Sequence, residues 1–190
     1  MLSMLADMEY GEGVKSRGSS PAVFIDRDGT LMEEVHYCSD PAQVRVFPGA
    51  ADALGALQRA GFRTILVTNQ SGIARGLISL EQYEKVHARL LELLGSELLD
   101  AAYMCADGPD GQSLRRKPAP GMLFEAAREW DLDLSRSWMV GDKSIDIECG
   151  NRAGVPGILV RTGHGNGQGT VGAAHVAEDF SEAVRWILGR

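Results

Sequence analysis

Pro21-Ala22-Val23-Phe24-Ile25-Asp26-Arg27-Asp28-Gly29-Thr30 decides how this chain is read. Four apolar residues behind Pro21 make a run too short for a helix, and the run stops on a carboxylate. Downstream, similar runs recur and alternate with helical periodicity. Ala50, Ala53, Leu54 and Leu57 share one helical face before Gly61, and Thr64-Ile65-Leu66-Val67 reads as a second strand. Ser79 is placed to cap a helix reaching about Gly95, with Tyr83, Val86, Leu90 and Leu93 near one face. Ala101 to Met104 is a weaker third strand and Gly121 to Trp130 a helix. Trp138-Met139-Val140 is a fourth strand, and Ser144 to Ala153 a helix closed by Gly154. Gly157 to Val160 is a fifth strand and Ser181 to Leu188 a last helix. The alternation predicts an α/β domain: a doubly wound, mostly parallel sheet with helices on both faces. Ligands of such sheets bind beyond the carboxyl ends of the strands. Asp26, Thr68 and Gly141-Asp142 stand there, and Lys117, in the loop entering the next helix, reaches the same edge.

Bulk properties narrow the function classes. The chain has 190 residues, enough for one domain with a real core, and 44% hydrophobic and 24% charged residues suit a globular protein. Residues 1–20 lack periodicity and are expected to be a flexible extension, with the folded domain spanning 21–190. No apolar run is long enough to cross a bilayer, so no membrane partner is expected. The start does not read as a secretory signal, and three scattered cysteines imply reduced thiols and a cytoplasmic location. A net charge of −7 argues against wrapping a nucleic acid backbone, while a local basic pocket can still take a small anion.

The residue types at the strand ends have a common chemistry. Asp26 can attack phosphorus as a nucleophile. Asp28, two residues on, can protonate a leaving oxygen and then deprotonate a water, with Gly29 allowing the turn that brings it back. A hydrated Asp-Gly turn is the plain alternative for this pair taken alone. Phosphoryl transfer needs charge neutralisation. Asp26, Asp142 and a backbone carbonyl near Asp28 offer hard oxygen ligands that suit magnesium. Asp146, one helical turn after Asp142, either orients those ligands from behind or serves the helix dipole. Thr68 can donate its hydroxyl to a phosphoryl group, the backbone amides of Asn69 and Gln70 can add donors, and Lys117, fixed by Pro118, supplies positive charge.

In combination these segments resemble the haloacid dehalogenase (HAD) superfamily: Phe24 to Thr30, then Val67-Thr68-Asn69, then Lys117-Pro118, then Val140-Gly141-Asp142 with Asp146. The resemblance implies a HAD-like Rossmannoid fold and a phospho-aspartyl intermediate on Asp26. It also implies acid–base work by Asp28, phosphate contacts from Thr68 and Lys117, and magnesium held by Asp26, Asp142 and the Asp28 carbonyl. Thr68 to Gly76, Arg116 to Met122 and Ser135 to Asp142 look, more narrowly, like the D-glycero-D-manno-heptose 1,7-bisphosphate phosphatase branch, which neighbours the histidinol-phosphate phosphatases. That likeness covers residues 21 to 163. It implies removal of the C7 phosphate from a heptose bisphosphate, substrate recognition by Arg116 and Lys143, and a pocket lined by Glu34, His36, Tyr37, Asn69, Gln70 and Ser71. A bisphosphate needs a second cationic anchor, for which Arg75, Arg115, Arg116 and Lys143 are candidates, although Arg115 reads as a solvated charge. Many relatives carry a Cys-x-His and Cys-x-Cys zinc loop before the Arg-Lys motif. Here only Cys105 stands in that stretch, so zinc is not expected.

The intervals Thr30–Thr68 and Ser71–Lys117 leave no room for a separate cap domain, so an open site shaped by loops is expected. The protein is expected to be a monomer. Hydrolysis of histidinol phosphate or another small phosphomonoester is the enzyme alternative. A phosphoacceptor receiver domain is the signalling alternative, though it expects an acceptor Asp after the third strand, where Cys105-Ala106-Asp107 stands. A degenerate binding module ranks lower, because all the catalytic residue types are present. Gly163 to Gly169 fails the dinucleotide spacing and reads as a mobile loop. His87 is expected on a helix surface and Cys149 buried.

Overall fold

The computed structural model describes residues 19–109 and 111–190, so residues 1–18 of the expected extension lie outside the described residues. Ser20 is already tied down: its N–H donates to the Asp131 carbonyl at 3.2 Å, and its carbonyl accepts from the Asp133 N–H at 2.9 Å.

Six parallel strands alternate with helices. In chain order they are β1 Ala22–Ile25, α1 Ala50–Arg59, β2 Arg63–Asn69, α2 Ser71–Ala74, α3 Leu80–Leu94, β3 Ala101–Cys105, α4 Gly121–Trp130, β4 Trp138–Gly141, α5 Ser144–Arg152, β5 Gly157–Val160, β6 Ala173–Ala177 and α6 Phe180–Leu188. The strand order is β3-β2-β1-β4-β5-β6. All of β1 is buried, yet its side chains divide by parity. Val23 and Ile25 join Leu66, Val140 and Ile158 under α1, α3 and α6, while Ala22 and Phe24 join Ile65, Val67 and Met139 under α4 and α5. Two cores on one sheet are what the period-2 geometry of a strand buried on both faces requires. Among the described residues nothing builds a separate cap, and no helix is long and apolar enough to cross a membrane.

Local signals set several boundaries. The Ser79 side chain accepts from the Gln82 N–H while Gln82 accepts from the Ser79 N–H, a reciprocal cap that starts α3 where the sequence placed it. Three details differ from expectation. Leu93 is exposed, and Leu94 takes the inward position on α3. His87 is half-buried, stacked 5.9 Å from the Tyr83 ring, because α3 is pressed onto the loop after β1. An unanticipated edge strand, β6, extends the sheet.

The order reverses at the β1–β4 junction, and a crevice opens beyond the carboxyl ends of strands at such a switch point. Asp26 follows β1 and donates its N–H to the Val140 carbonyl at 2.9 Å, and Asp142 follows β4. The fold therefore delivers two carboxylates to one spot.

Candidate active site

Asp26, Asp142 and Asp146 each offer an oxygen within 4.8 Å of the others, all at buried positions. Lys117 closes the cluster from the loop before α4: its ammonium donates to Asp26 Oδ1 at 2.6 Å, to Asp146 Oδ1 at 2.7 Å and to the Val67 carbonyl at 2.9 Å. That saturates the three donors of a lysine. The Asn69 side chain fixes this loop, accepting from the Lys117 N–H and donating to the Lys117 carbonyl, both at 3.0 Å. Asn69, expected among substrate contacts, thus spends its amide on the placement of Lys117.

Asp146 is taken at both oxygens, because Oδ2 accepts from the Lys143 N–H at 3.0 Å. Asp142 is different. Its Oδ2 accepts from the His164 backbone N–H at 2.8 Å, but Oδ1 is buried without a partner. An ionised oxygen in that state is costly unless something positive faces it. Gly29 and Gly163 hold the Asp142 carboxylate between them. Both have positive φ (85° and 55°), and a Cβ on either would sit 2.3–2.4 Å from Asp142 Oδ2.

Charge explains the titration. Burial pushes the Asp26 carboxyl up to about 7; Lys117 opposes this, and Asp146 and Asp142 add to it. Burial raises Asp142 to about 6, against the pull of the His164 N–H and Lys143. Burial alone would lower Lys117, but Asp146 and Asp26 hold its pKa above that of a free lysine, so it stays protonated. Around the cleft, the carboxylates of Asp26, Asp28, Glu34, Asp142 and Asp146 outnumber the cations Arg27, Lys117 and Lys143 by two. A dication matches that excess, and hard oxygen donors beside an orphaned carboxylate oxygen fit magnesium.

Asp28 lies at the cleft wall. Arg27 donates to it with Nε (to Oδ2, 3.1 Å) and Nη2 (to Oδ1, 3.0 Å), and the Gln70 side-chain amide donates to Oδ2 at 2.9 Å. The same Gln70 nitrogen lies 2.9 Å from Thr68 Oγ1. The Gln70 backbone N–H is not free for a phosphate, since it donates to the Cys105 carbonyl at 2.7 Å. Glu34, His36, Tyr37, Ser71 and Lys143 do line the cleft, about 200 Å³ in volume. Lys143 donates to Glu34 at 3.0 Å. Arg75 and Arg116 stand outside that lining. Arg75 bonds the Tyr37 hydroxyl and covers its ring, and Arg116 donates to the Asp107 carbonyl at 3.0 Å.

Sequence reasoning missed two contributors. The segment after β5 is no detached loop: Thr162 Oγ1 donates to the Gly29 carbonyl at 2.6 Å, and His164 supplies the N–H on Asp142. The strand-end rule, applied to β5 as to the others, points to it. Arg27 is the second, a 1% exposed guanidinium that its position between two aspartates disguises as a solvated charge.

Residues 114–183 match the HAD-hydrolase-like family model. The chain is 44% identical to the D-glycero-D-manno-heptose-1,7-bisphosphate 7-phosphatase of Thermosynechococcus vestitus, over 88% of this chain and 95% of that protein. It is 38% identical to the protein of the same name from Chlorobaculum tepidum, over 90% and 96%. It superposes with a TM-score of 0.81 on the D,D-heptose 1.7-bisphosphate phosphatase from B. bronchiseptica complexed with magnesium and phosphate, at 32% identity and covering 89% of this chain and 98% of that one.

Proposed function

This chain belongs to the D-glycero-D-manno-heptose-1,7-bisphosphate 7-phosphatase family, and from that membership we propose that it removes the 7-phosphate of this sugar bisphosphate through a phospho-aspartyl intermediate on Asp26. The observation that carries the chemistry is the buried, unpartnered Oδ1 of Asp142 in a carboxylate cluster with Asp26 and Asp146, with Lys117 fixed beside them. Asp26, Asp142 and the Asp28 carbonyl would hold magnesium, which when bound would neutralise phosphate charge. Asp146, saturated by Lys117 and the Lys143 N–H, orients the others.

An Asp26 carboxylate oxygen attacks phosphorus as the bond from phosphorus to the sugar oxygen breaks, and Asp28 gives its proton to the departing oxygen. Thr68 and Lys117 donate to the transferring oxygens. A water then yields a proton to Asp28 and attacks phosphorus, releasing phosphate and restoring Asp26. Lys143 contacts the sugar side of the substrate, and Glu34 holds Lys143 in place. Arg75 and Arg116, engaged elsewhere in this structure, become the bisphosphate anchors only by leaving Tyr37 and the Asp107 carbonyl. No zinc site belongs to this reading, since Cys105 is the only thiol in its loop. A cytoplasmic location, supported by three buried, free cysteines, and a monomeric state complete it.

Purified protein tests this with heptose 1,7-bisphosphate and histidinol phosphate, in magnesium and in EDTA, followed by ³¹P NMR. The expected result is magnesium-dependent loss of the 7-phosphate with the 1-phosphate retained. Turnover indifferent to EDTA, or preference for histidinol phosphate, contradicts it.

A further inference from the structure

The acid–base carboxylate is not free to rotate. Asp28 accepts from Arg27 Nε and Gln70 Nε2 at Oδ2, and from Arg27 Nη2 at Oδ1. The loading is uneven: Oδ2 is crowded with donors, while Oδ1 carries one. Arg27 cannot swing away, because its guanidinium is 1% exposed and lies 5.2 Å from the centre of the Tyr83 ring on α3. Its Nη1 is buried without an acceptor, so keeping an arginine here has a cost in stability that a purely structural residue would avoid. Gln70 is 7% exposed, held at the start of α2 by its backbone bond to Cys105, and its one nitrogen touches both Asp28 and Thr68.

We infer that Arg27 and Gln70 are positioning residues: together they hold the Asp28 carboxylate so that Oδ1 faces the leaving oxygen, and Gln70 sets this orientation relative to Thr68. This rests on the phosphatase reading above and adds to it the two groups that aim the acid. Gln70 then acts through Asp28 rather than as a substrate contact. In the step concerned, the proton on Asp28 Oδ1 passes to the sugar oxygen as its bond to phosphorus breaks and the bond from Asp26 to phosphorus forms. A carboxyl allowed to turn loses this alignment, and misplacement of about 1 Å can cost on the order of 10²-fold.

A leaving group that needs no proton separates positioning from general damage. The values of kcat/KM for heptose 1,7-bisphosphate, whose leaving oxygen is an alkoxide, and for 4-nitrophenyl phosphate, whose phenolate leaves unaided, are compared for wild type, Asp28→Asn, Gln70→Leu and Arg27→Met. The inference expects Gln70→Leu to lose roughly 10-fold to 10²-fold on the sugar substrate and under about 3-fold on the aryl one, the same selectivity as Asp28→Asn and smaller in size. Because Arg27 is buried and its loss endangers folding, Gln70→Leu carries the test alone, with thermal unfolding to show that it is folded. Equal losses on both substrates, or none on either, while Asp28→Asn remains selective, overturn the inference and leave the phosphatase reading standing. A wild-type protein inactive on both overturns the phosphatase reading and this inference with it.

Discussion

Two ion pairs of nearly equal length sit at opposite ends of the sheet. Lys117 meets Asp26 at 2.6 Å beyond the carboxyl ends of the strands; Arg63 meets Asp100 at 2.7 Å at the amino ends of β2 and β3. Their surroundings differ. The side chains of the first pair are 2% and 8% exposed and face two further buried carboxylates. In the second, Arg63 is 46% exposed, and Asp100 also accepts from the Thr64 N–H at 2.8 Å, pinning β2 to the start of β3. The outcome is opposite in sign. Burial pushes Asp26 up, whereas for Asp100 the penalty of burial is outweighed by hydrogen bonds from Thr64 and Arg63, which pull it down. Distance alone does not mark a candidate functional pair; the surplus of buried charge does.

Breaking the carboxyl-end pair should have the largest effect. Asp26→Asn, which keeps the shape and removes the nucleophile, should lower kcat on the order of 10⁴-fold or more while the far-UV circular dichroism stays native. Substantial residual turnover would transfer the nucleophile elsewhere. Lys117→Met should lower kcat by about 10²–10³-fold. It should also destabilise the protein in EDTA by about 3–5 kcal/mol, because it leaves buried carboxylates facing one another. Magnesium should recover part of that loss in a denaturant titration.

A pH series sharpens the contrast without mutation. Asp26 and Asp142 hold protons more tightly folded than unfolded, so the metal-free protein should lose stability as pH rises from the ordinary carboxylate range toward about 7. Magnesium displaces those protons, so the gain in Tm on adding it should be larger at pH 8 than at pH 5.5; a gain independent of pH would contradict the charge account. Asp100 has the reverse sign: its contribution is present above its unfolded pKa and is lost as pH falls through the lowered folded value. The smallest effect belongs to Asp100→Asn, which should cost about 1 kcal/mol in chemical denaturation and leave kcat/KM within about 2-fold.

The same contrast explains what was legible in the sequence. β1, β2, β4 and β5 are apolar runs buried on both faces, so their hydrophobicity gives them away, and the residue that ends a run stands at the site by geometry. β6 is an edge strand, Ala173-Ala174-His175-Val176-Ala177, with little apolar contrast, and it went unseen. Asp26, Asp142 and Lys117 were legible because the proposed chemistry restricts the residue type. The His164 contribution was not, because a backbone N–H leaves no mark on residue identity. Arg27 was hidden for another reason: its role depends on burial under Tyr83, a residue more than fifty positions away that arrives with α3. Asn69 and Gln70, expected as substrate contacts, line the cleft, but their side chains face Lys117 and Asp28, which only the folded arrangement decides.

In the proposed reaction the Asp26 oxygen accepts phosphorus. Rapid mixing with heptose 1,7-bisphosphate and magnesium, acid quench within the first turnover, reduction with borohydride and peptide mass spectrometry test it directly. An acyl phosphate at Asp26 is reduced to homoserine at position 26, in wild type and not in Asp26→Asn. Full turnover by the wild type with Asp26 unmodified, or the reduced residue found at another carboxylate, would contradict the account.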